Sequence, residues 1–258
     1  EMKSLGIKTI MTYHTVINVN NLLVTHAGVC DKVSVCFNDE VECLKDYDLE
    51  HVSNPIEWVE DSDKEAARAK LGLTSKHIYL SSGFWQEHKG YLQNIQILPE
   101  LIKVFPDILF IVVGSHAPGH PYWDAVQEVI DKLGVREHVL IIDKYVPKEE
   151  LYDYLHAADV LVYNYFVNFQ SASAAALTGL SAHRPVVTTD SPMFSYIKNE
   201  AIKTKAGDLQ RLSRAIKELF EDTAYAEILV NRADKLLKNI TPEKVADKYE
   251  AIYDELKP

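Results

Sequence analysis

A glycine-rich loop with one lysine is the first feature of the sequence that could bind an anion. It runs Ser82-Gly83-Phe84-Trp85-Gln86-Glu87-His88-Lys89-Gly90 and follows a short apolar segment of strand type. Glycine lets the backbone approach a ligand closely, and the Lys89 ammonium can reach that ligand as a point charge. A glycine-rich turn with a solvated lysine is the alternative interpretation, and this loop alone leaves both open.

A second candidate for anion binding is a run of small residues that opens a predicted helix between Asn168 and Gly179. Backbone N–H groups at such a helix start, with little side-chain bulk around them, can bind a diphosphate. The alternative is a tightly packed helix whose alanines suit a crowded sheet face. Near the start of the chain, Tyr13-His14-Thr15 ends a predicted strand, where a lone histidine is more often structural than functional.

Two further motifs carry metal-ligand types without the context of a metal site. Asp61-Ser62-Asp63 has the D-x-D pattern but follows no strand, so we predict a helix cap by Asp61 or Ser62, with Glu65 in the first turn. His116 and His120 flank a Pro-Gly turn without a partnering cysteine or carboxylate motif, which indicates a solvated loop. We therefore predict no metal site.

The elements that must position these loops follow from the apolar pattern. The predicted strands of the larger part of the chain are His77–Ser82, Ile108–Gly114, His138–Asp143, Val160–Tyr163 and Pro185–Thr189. Each is short, apolar on both faces and bounded by turn or charged residues, as buried parallel strands are. Amphipathic stretches such as Tyr91–Val104 separate them. This alternation predicts a doubly wound α/β sheet, in which ligands bind beyond the carboxyl ends of the strands.

A smaller block precedes this sheet. Its predicted elements are strands at Ile7–Tyr13, Val33–Phe37 and Leu49–Val52 and a helix over Asn20–Val29. This block resembles the end of a second α/β unit, and a charged linker with a short helix ending at Gly72 follows it. The predicted divisions are 1–56, a linker at 57–76, a main domain at 77–238 and a last helix within 239–258, capped by Thr241 and beginning at Pro242.

Composition limits the function classes. The 258 residues include 27 Lys and Arg against 38 Asp and Glu, a net charge of −11, which argues against broad binding to nucleic acid or anionic membrane. No apolar run approaches the roughly 20 residues that span a bilayer, and no leader opens the chain. Cys30, Cys36 and Cys43 lack the spacing of a zinc site or disulfide framework. We therefore expect a cytoplasmic protein without a transmembrane segment.

Several short motifs are individually unspecific, but their order and spacing along the chain are specific. The motifs are Lys89-Gly90, Val112-Val113-Gly114, Lys144-Tyr145-Val146-Pro147, Ala157-Ala158-Asp159-Val160 and Arg184-Pro185-Val186-Val187. In this order, the segment from about Lys76 to Leu219 resembles the nucleotide-binding half of group 1 (family-four-like) retaining glycosyltransferases, with a variant serine-type donor loop. The resemblance implies a GT-B fold with a complete Rossmann-like carboxyl-terminal domain, here preceded by part of a second, acceptor-side one.

The resemblance also implies roles for single residues. His14 matches the strand-end histidine near the transferred sugar, and Lys89 matches the lysine that holds the donor diphosphate. His14 and Lys89 are thus the implied catalytic residues. The implied donor-binding residues are Gly83, Phe84, Lys89, Gly114, Tyr145, Val146, Gln170, Ser171, Ala172, Ser173, Ala174 and Thr178. Of these, Tyr145 and Val146 match the segment that packs against the nucleobase.

The sequence departs from the family pattern at three positions. Gln170 and Thr178 stand where the family has two glutamates, and Phe84 stands where many members have an arginine. Gln170 can still hydrogen-bond a sugar, but Thr178 is too short to accept a ribose diol in the same way. The hydroxyls of Ser171 and Ser173 can bind the diphosphate in place of charge.

The predicted function is transfer of a sugar from a nucleotide-diphosphate sugar to an unknown glycan, lipid or small-molecule acceptor, with retention and without metal or other cofactor. A catalytically inactive nucleotide-sugar-binding or scaffolding protein is the alternative. An epimerase or phosphorylase of the same fold would need acid–base carboxylates or a cofactor lysine, which we cannot assign. Only the last part of the amino-terminal domain is expected here. Either the sequence is a fragment, or the domain is reduced and a second chain that completes it is a candidate partner.

Overall fold

The computed structural model describes residues 7–13, 30–36, 49–116, 119–166 and 173–257. In this part of the chain, nine strands form two parallel sheets. The strands are β1 (Ile10–Tyr13), β2 (Lys32–Val35), β3 (Leu49–His51), β4 (His77–Ser82), β5 (Ile108–Val113), β6 (Val139–Ile142), β7 (Val160–Tyr163), β8 (Val186–Thr189) and β9 (Ile202–Thr204). The helices are α1 (Lys64–Leu71), α2 (Tyr91–Gln96), α3 (Leu98–Ile102), α4 (Pro121–Leu133), α5 (Lys148–Ala157), α6 (Ala174–Leu180), α7 (Leu209–Glu221), α8 (Thr223–Leu237) and α9 (Pro242–Glu255).

The larger sheet has the strand order β6-β5-β4-β7-β8-β9, and every neighbouring pair is parallel. This is the strand order of doubly wound dinucleotide-binding sheets. In such sheets the order in which strands are added along the sheet reverses at one point, which here lies between β4 and β7. The five predicted strands of this sheet are confirmed within one or two residues at each end. The sixth strand, β9, was not predicted because three residues with a central lysine carry too little apolar pattern.

Both faces of the larger sheet are buried, which explains its nearly continuous apolar strands. Along β4, Ile78 and Leu80 join the core on one face and Tyr79 joins the core on the other, all fully buried. Helices α2, α3, α4 and α7 cover the Tyr79 face, and α5 and α6 cover the opposite face. Each such side chain contributes about 1.5–3 kcal/mol on burial, so the sheet is a rigid support for the loops at its edge.

The helix predicted over Tyr91–Val104 consists of two short helices, α2 and α3, that meet at Ile97. Pro99 explains the break, because proline has no N–H to donate to the carbonyl four residues earlier. The predicted amphipathic character is confirmed, since Ile95, Leu98 and Leu101 are fully buried. The helical pattern therefore predicted the buried face but not the interruption.

Helix α1 begins at a different cap from the one predicted. The Asp63 carboxylate accepts the N–H of Ala66 at 2.7 Å, so the prediction of Asp61 or Ser62 as the cap is wrong. Asp61 instead accepts a hydrogen bond from Arg184 at 2.8 Å, because the segment before α1 lies against the main domain. The helix ends at Gly72 in the left-handed conformation, as predicted.

The smaller sheet has the order β1-β2-β3, and its strands are parallel. Helix α9, capped by Thr241 and beginning at Pro242 as predicted, packs on it: Val245 and Ile252 contact Val52. The predicted helix over Asn20–Val29 lies outside the described residues. Division of the chain into domains at 56, 76 and 238 stays a prediction. None of the described helices is both long and apolar enough to cross a membrane.

Candidate functional site

A pocket of about 470 Å³ lies at the carboxyl ends of β4, β5 and β6, beside the start of α6. This is the edge at which doubly wound sheets bind ligands, next to their change of direction. The predicted donor-binding residues that line it are Gly83, Phe84, Lys89, Gly114, Tyr145, Val146, Ser173, Ala174 and Thr178. The other predicted site residues, His14, Gln170, Ser171 and Ala172, lie outside the described residues.

The floor of the pocket is built by direct contact between backbones. A Cβ atom on Gly114 would lie 1.8 Å from the carbonyl oxygen of Gly83, and one on Gly90 would lie 2.1 Å from the carbonyl oxygen of Asn164. Backbone atoms cannot move aside as a flexible side chain can, so only glycine fits at either position. The loops after β4, β5 and β7 are thereby locked together around the pocket.

Two buried aromatic side chains hold this floor from below. The indole N–H of Trp85 donates to the Gly114 carbonyl at 2.8 Å, and the Tyr91 hydroxyl donates to the Gly83 carbonyl at 2.8 Å. Their rings lie 5.0 Å apart between centroids and are almost fully buried. The indole N–H and the phenol hydroxyl thereby hold the two glycine carbonyls in position, while the apolar rings stay in the core and leave the pocket open.

Lys89 supplies a positive charge that has no carboxylate partner among the described residues. It ends a single 3-10 turn, Glu87–Lys89, and its Nζ lies 3.9 Å from the place a Cβ on Gly83 would take. Nζ also lies 4.0 Å from the centroid of the buried Tyr165 ring. Burial lowers the pKa of Lys89 to about 8, because the ammonium has lost much of its hydration. An anion in the pocket would restore the missing stabilisation.

Apart from Lys89, the described residues of the pocket wall contribute little net charge. Lys144 also lines it, but this side chain is largely exposed and pairs with Glu150 at 2.8 Å. Phe84 and Tyr145 expose 66% and 79% of their surface at the mouth. Among the described lining residues there is no Asp or Glu, so nothing there repels an anion.

The start of α6 closes the side of the pocket opposite the β6 loop. Ser173 is its N-cap and accepts the N–H of Ala176 at 3.2 Å, while Tyr196 donates to the Ser173 carbonyl at 3.1 Å. The Ser173 hydroxyl therefore caps the helix where α6 meets the pocket wall. Thr178 lines the pocket about one turn further along the helix.

Sequence reasoning missed several lining residues. Asn54, Ser115 and Leu151 contribute to the wall together with Lys144. Asn54 lies between the predicted strand Leu49–Val52 and the predicted linker at 57–76, where no ligand contact was expected. Tyr165 was missed altogether, since its position beneath Lys89 depends on the packing of two loops that are 76 residues apart in the sequence.

A larger, more open cleft of about 1100 Å³ lies at the opposite edge of the sheet. Its principal charges serve the fold: Arg184 pairs with Asp61 at 2.8 Å, and Lys64 pairs with Asp159 at 2.6 Å. This cleft lies at the amino ends of β4 and β8, beside His77 and Pro185, and doubly wound sheets bind ligands at the carboxyl ends of their strands. The smaller pocket is therefore the better candidate site.

The two motifs with metal-ligand types are engaged elsewhere. Asp61 binds Arg184 and Asp63 caps α1, while His116 Nδ1 lies 2.8 Å from Asp143 and its ring stacks on Trp123 at 4.2 Å. In the described ranges no three His, Cys, Asp or Glu side chains form a group that could hold a metal ion.

The sequence of the chain matches a known protein family. Residues 63–236, more than half of the chain, match the model of the family described as glycosyl transferases group 1. The chain belongs to the group 1 glycosyltransferases. One similar protein is the GDP-mannose-dependent alpha-(1-6)-phosphatidylinositol monomannoside mannosyltransferase of Mycolicibacterium smegmatis, 32% identical over 116 residues. That match covers 43% of this chain and only 29% of the mannosyltransferase.

Solved structures show the same architecture. A glycosyltransferase from Rickettsia africae superposes with a TM-score of 0.83 at 18% identity, covering 99% of this chain and 72% of that one. Anabaena HepE in complex with UDP gives 0.82 at 14% identity, over 99% and 73%. These likenesses confirm the predicted α/β fold of GT-B type, with one Rossmann-like domain and part of a second.

Proposed function

We propose that this chain carries the donor site of a hexosyltransferase that uses a nucleotide-diphosphate sugar, acts with retention of configuration and needs no metal. Family membership supports glycosyl transfer in general. The observation that carries the finer proposal is the charge of Lys89, which is mostly buried and unpaired by any described carboxylate, at the carboxyl edge of the sheet. A diphosphate is the anion such a group fits.

The proposed pose places the diphosphate between Lys89 and the start of α6, with the nucleobase against Tyr145 and Val146. The lining supports it, because the glycine floor admits phosphate oxygens close to the backbone and the exposed Tyr145 ring offers a flat apolar surface. The base stays open: HepE is described with UDP and the mannosyltransferase as GDP-mannose-dependent. The acceptor stays open as well.

In the proposed reaction, the bond between the sugar C1 and the phosphate oxygen breaks and a bond from the acceptor oxygen to C1 forms on the same face. The acceptor proton passes to the departing phosphate oxygen, so no protein nucleophile is required. Lys89 stabilises the negative charge that develops on the diphosphate. His14 orients the sugar in this scheme. Removing one such stabilising group costs on the order of 10²–10³ in rate.

The first test measures binding of UDP, GDP, ADP, CDP and dTDP by calorimetry, with the wild type and with Lys89→Met, each with and without EDTA. We expect one base to bind selectively, EDTA to have no effect, and Lys89→Met to lose the affinity. The corresponding nucleotide sugars then serve as donors for hydrolysis or transfer, and NMR of the released sugar anomer tests retention. Binding that survives Lys89→Met, or requires a metal, would overturn the assignment.

A catalytically inactive binding or scaffolding protein is the second candidate. The observation in its favour is the pocket wall, in which Phe84 and Thr178 take the places of an arginine and a glutamate, and no described lining residue is acidic. Selective nucleotide-sugar binding by the wild type without hydrolysis or transfer to any sugar, lipid or glycan acceptor would favour this candidate.

A further inference from the structure

We propose that Tyr165 is a positioning residue for Lys89, and that its buried ring holds the ammonium by a cation–π contact where other proteins would use a carboxylate. A carboxylate partner would neutralise the lysine, whereas an aromatic face attracts it and leaves its full charge for the diphosphate. This inference rests on the proposed function and explains how a lysine that has no carboxylate partner among the described residues is kept in place.

The contact geometry is that of a strong cation–π pair. Lys89 Nζ lies 4.0 Å from the ring centroid of Tyr165, well inside the roughly 6 Å over which such attraction acts. Tyr165 is 1% exposed, so little water competes for the ammonium on that side. Desolvated pairs of this kind are stronger than exposed ones.

The Tyr165 ring is itself fixed in position. It packs edge-on against Tyr163 with centroids 6.1 Å apart and lies 5.3 Å from the Phe194 ring. The Thr189 hydroxyl donates to its backbone carbonyl at 2.5 Å, which anchors the residue to the end of β8. The ring is therefore a fixed surface against which the lysine packs, and it needs no rearrangement when a ligand binds.

The loop of Lys89 and the segment of Tyr165 are also joined through their backbones. The N–H of Phe166 donates to the carbonyl of His88 at 3.1 Å, and Gly90 packs directly against Asn164. The residues next to Tyr165 thus contact the residues next to Lys89. This pairing of neighbours sets the distance from ring to ammonium independently of any ligand.

The test compares wild type, Tyr165→Phe and Tyr165→Leu in calorimetric binding of the preferred nucleoside diphosphate and of its nucleoside. Phenylalanine keeps the aromatic face, so its affinity should stay within about twofold. Leucine should weaken diphosphate binding roughly three- to thirtyfold and leave nucleoside binding unchanged. Phe110→Leu, which removes another fully buried ring of the same domain, is the control and should not separate the two ligands.

Equal loss of both ligands in Tyr165→Leu, or equal loss in the Phe and Leu variants, would overturn the inference. Fluorinated phenylalanines at position 165 give a graded readout should leucine prevent folding, because fluorine weakens the ring's attraction for cations at nearly constant shape. The contact is also tested without ligand: ¹³C-labelled Lys89 should show an upfield ring-current shift that Tyr165→Leu removes. A shift present in a protein that binds no diphosphate supports the contact and overturns only the proposed function.

Discussion

Replacing Lys89 by methionine should stabilise the empty protein while removing its affinity for nucleoside diphosphates. Burial lowers the pKa of Lys89 from its ordinary 10.5 to about 8, so the charged ammonium is less favourable in the folded chain than in the unfolded one. Methionine has a similar length, carries no charge and suits a partly apolar site. The substitution should therefore raise the free energy of unfolding, because it removes a buried charge that binding requires and that folding disfavours.

The magnitude follows from the two pKa values. Their difference of about 2.5, at about 1.4 kcal/mol per pH unit, corresponds to about 3 kcal/mol at pH 7, where both folded and unfolded chains carry the proton. This pKa difference already includes every contact of the ammonium, that with Tyr165 among them, so the expected gain is about 3 kcal/mol. For a chain of this size that corresponds to a Tm higher by about 6–12 °C.

The pH dependence of this gain separates it from a packing effect. A lysine whose folded-state pKa is lowered costs stability in full below pH 8, and the cost fades as the pH rises towards 10.5 because the folded chain loses its proton first. Urea unfolding at pH 7 and pH 9.5 should therefore show the advantage of Lys89→Met falling from about 3 to about 1 kcal/mol. The exposed Lys205→Met is the control and should change little at either pH. A destabilised Lys89→Met, or an equal gain at both pH values, would refute the reasoning.

Three further predictions follow from the same pocket. Diphosphate affinity should weaken about 20-fold from pH 7.5 to 9.5 as Lys89 loses its proton, and Lys89→Arg should lose this dependence in calorimetry; an unchanged slope in the arginine variant would contradict it. Gly114→Ala should lower the free energy of unfolding by about 3 kcal/mol in urea titrations, because its Cβ meets a backbone oxygen, whereas Ser115→Ala should be nearly neutral. Tyr145→Ala should weaken nucleotide binding roughly tenfold in the same calorimetric assay and leave the unfolding free energy within about 0.5 kcal/mol, since the ring is 79% exposed; intact affinity would remove Tyr145 from the base site.

The sheet could be predicted from sequence because each strand is a continuous apolar run that ends in a turn. Apolar runs such as Ile108–Val113 predict a strand that is buried on both faces. Because these runs alternate with helical patterns, the sequence also predicts the α/β fold class. β9 could not be found this way, since its side chains alternate with a half-buried lysine over only three residues.

The pocket wall was predictable to the extent that it is local in sequence. Lys89 and the two glycines before and after its turn signal a loop that approaches a ligand, and the family motif order supplied Gly114 and Tyr145. What could not be predicted depends on contacts between distant segments. Nothing in the sequence around Tyr165 shows that its ring lies under Lys89, and nothing near Asp61 shows that Arg184 competes for it.

The most direct test of the central claim is a crystal structure of the chain with its preferred nucleoside diphosphate, compared with the same soak of Lys89→Met. We expect a phosphate oxygen within about 2.7–3.2 Å of Lys89 Nζ, in the pocket between the β4 loop and the start of α6. In the variant we expect no density for the diphosphate. A nucleotide bound elsewhere, or a diphosphate that lies in this pocket without contacting Lys89, would contradict it.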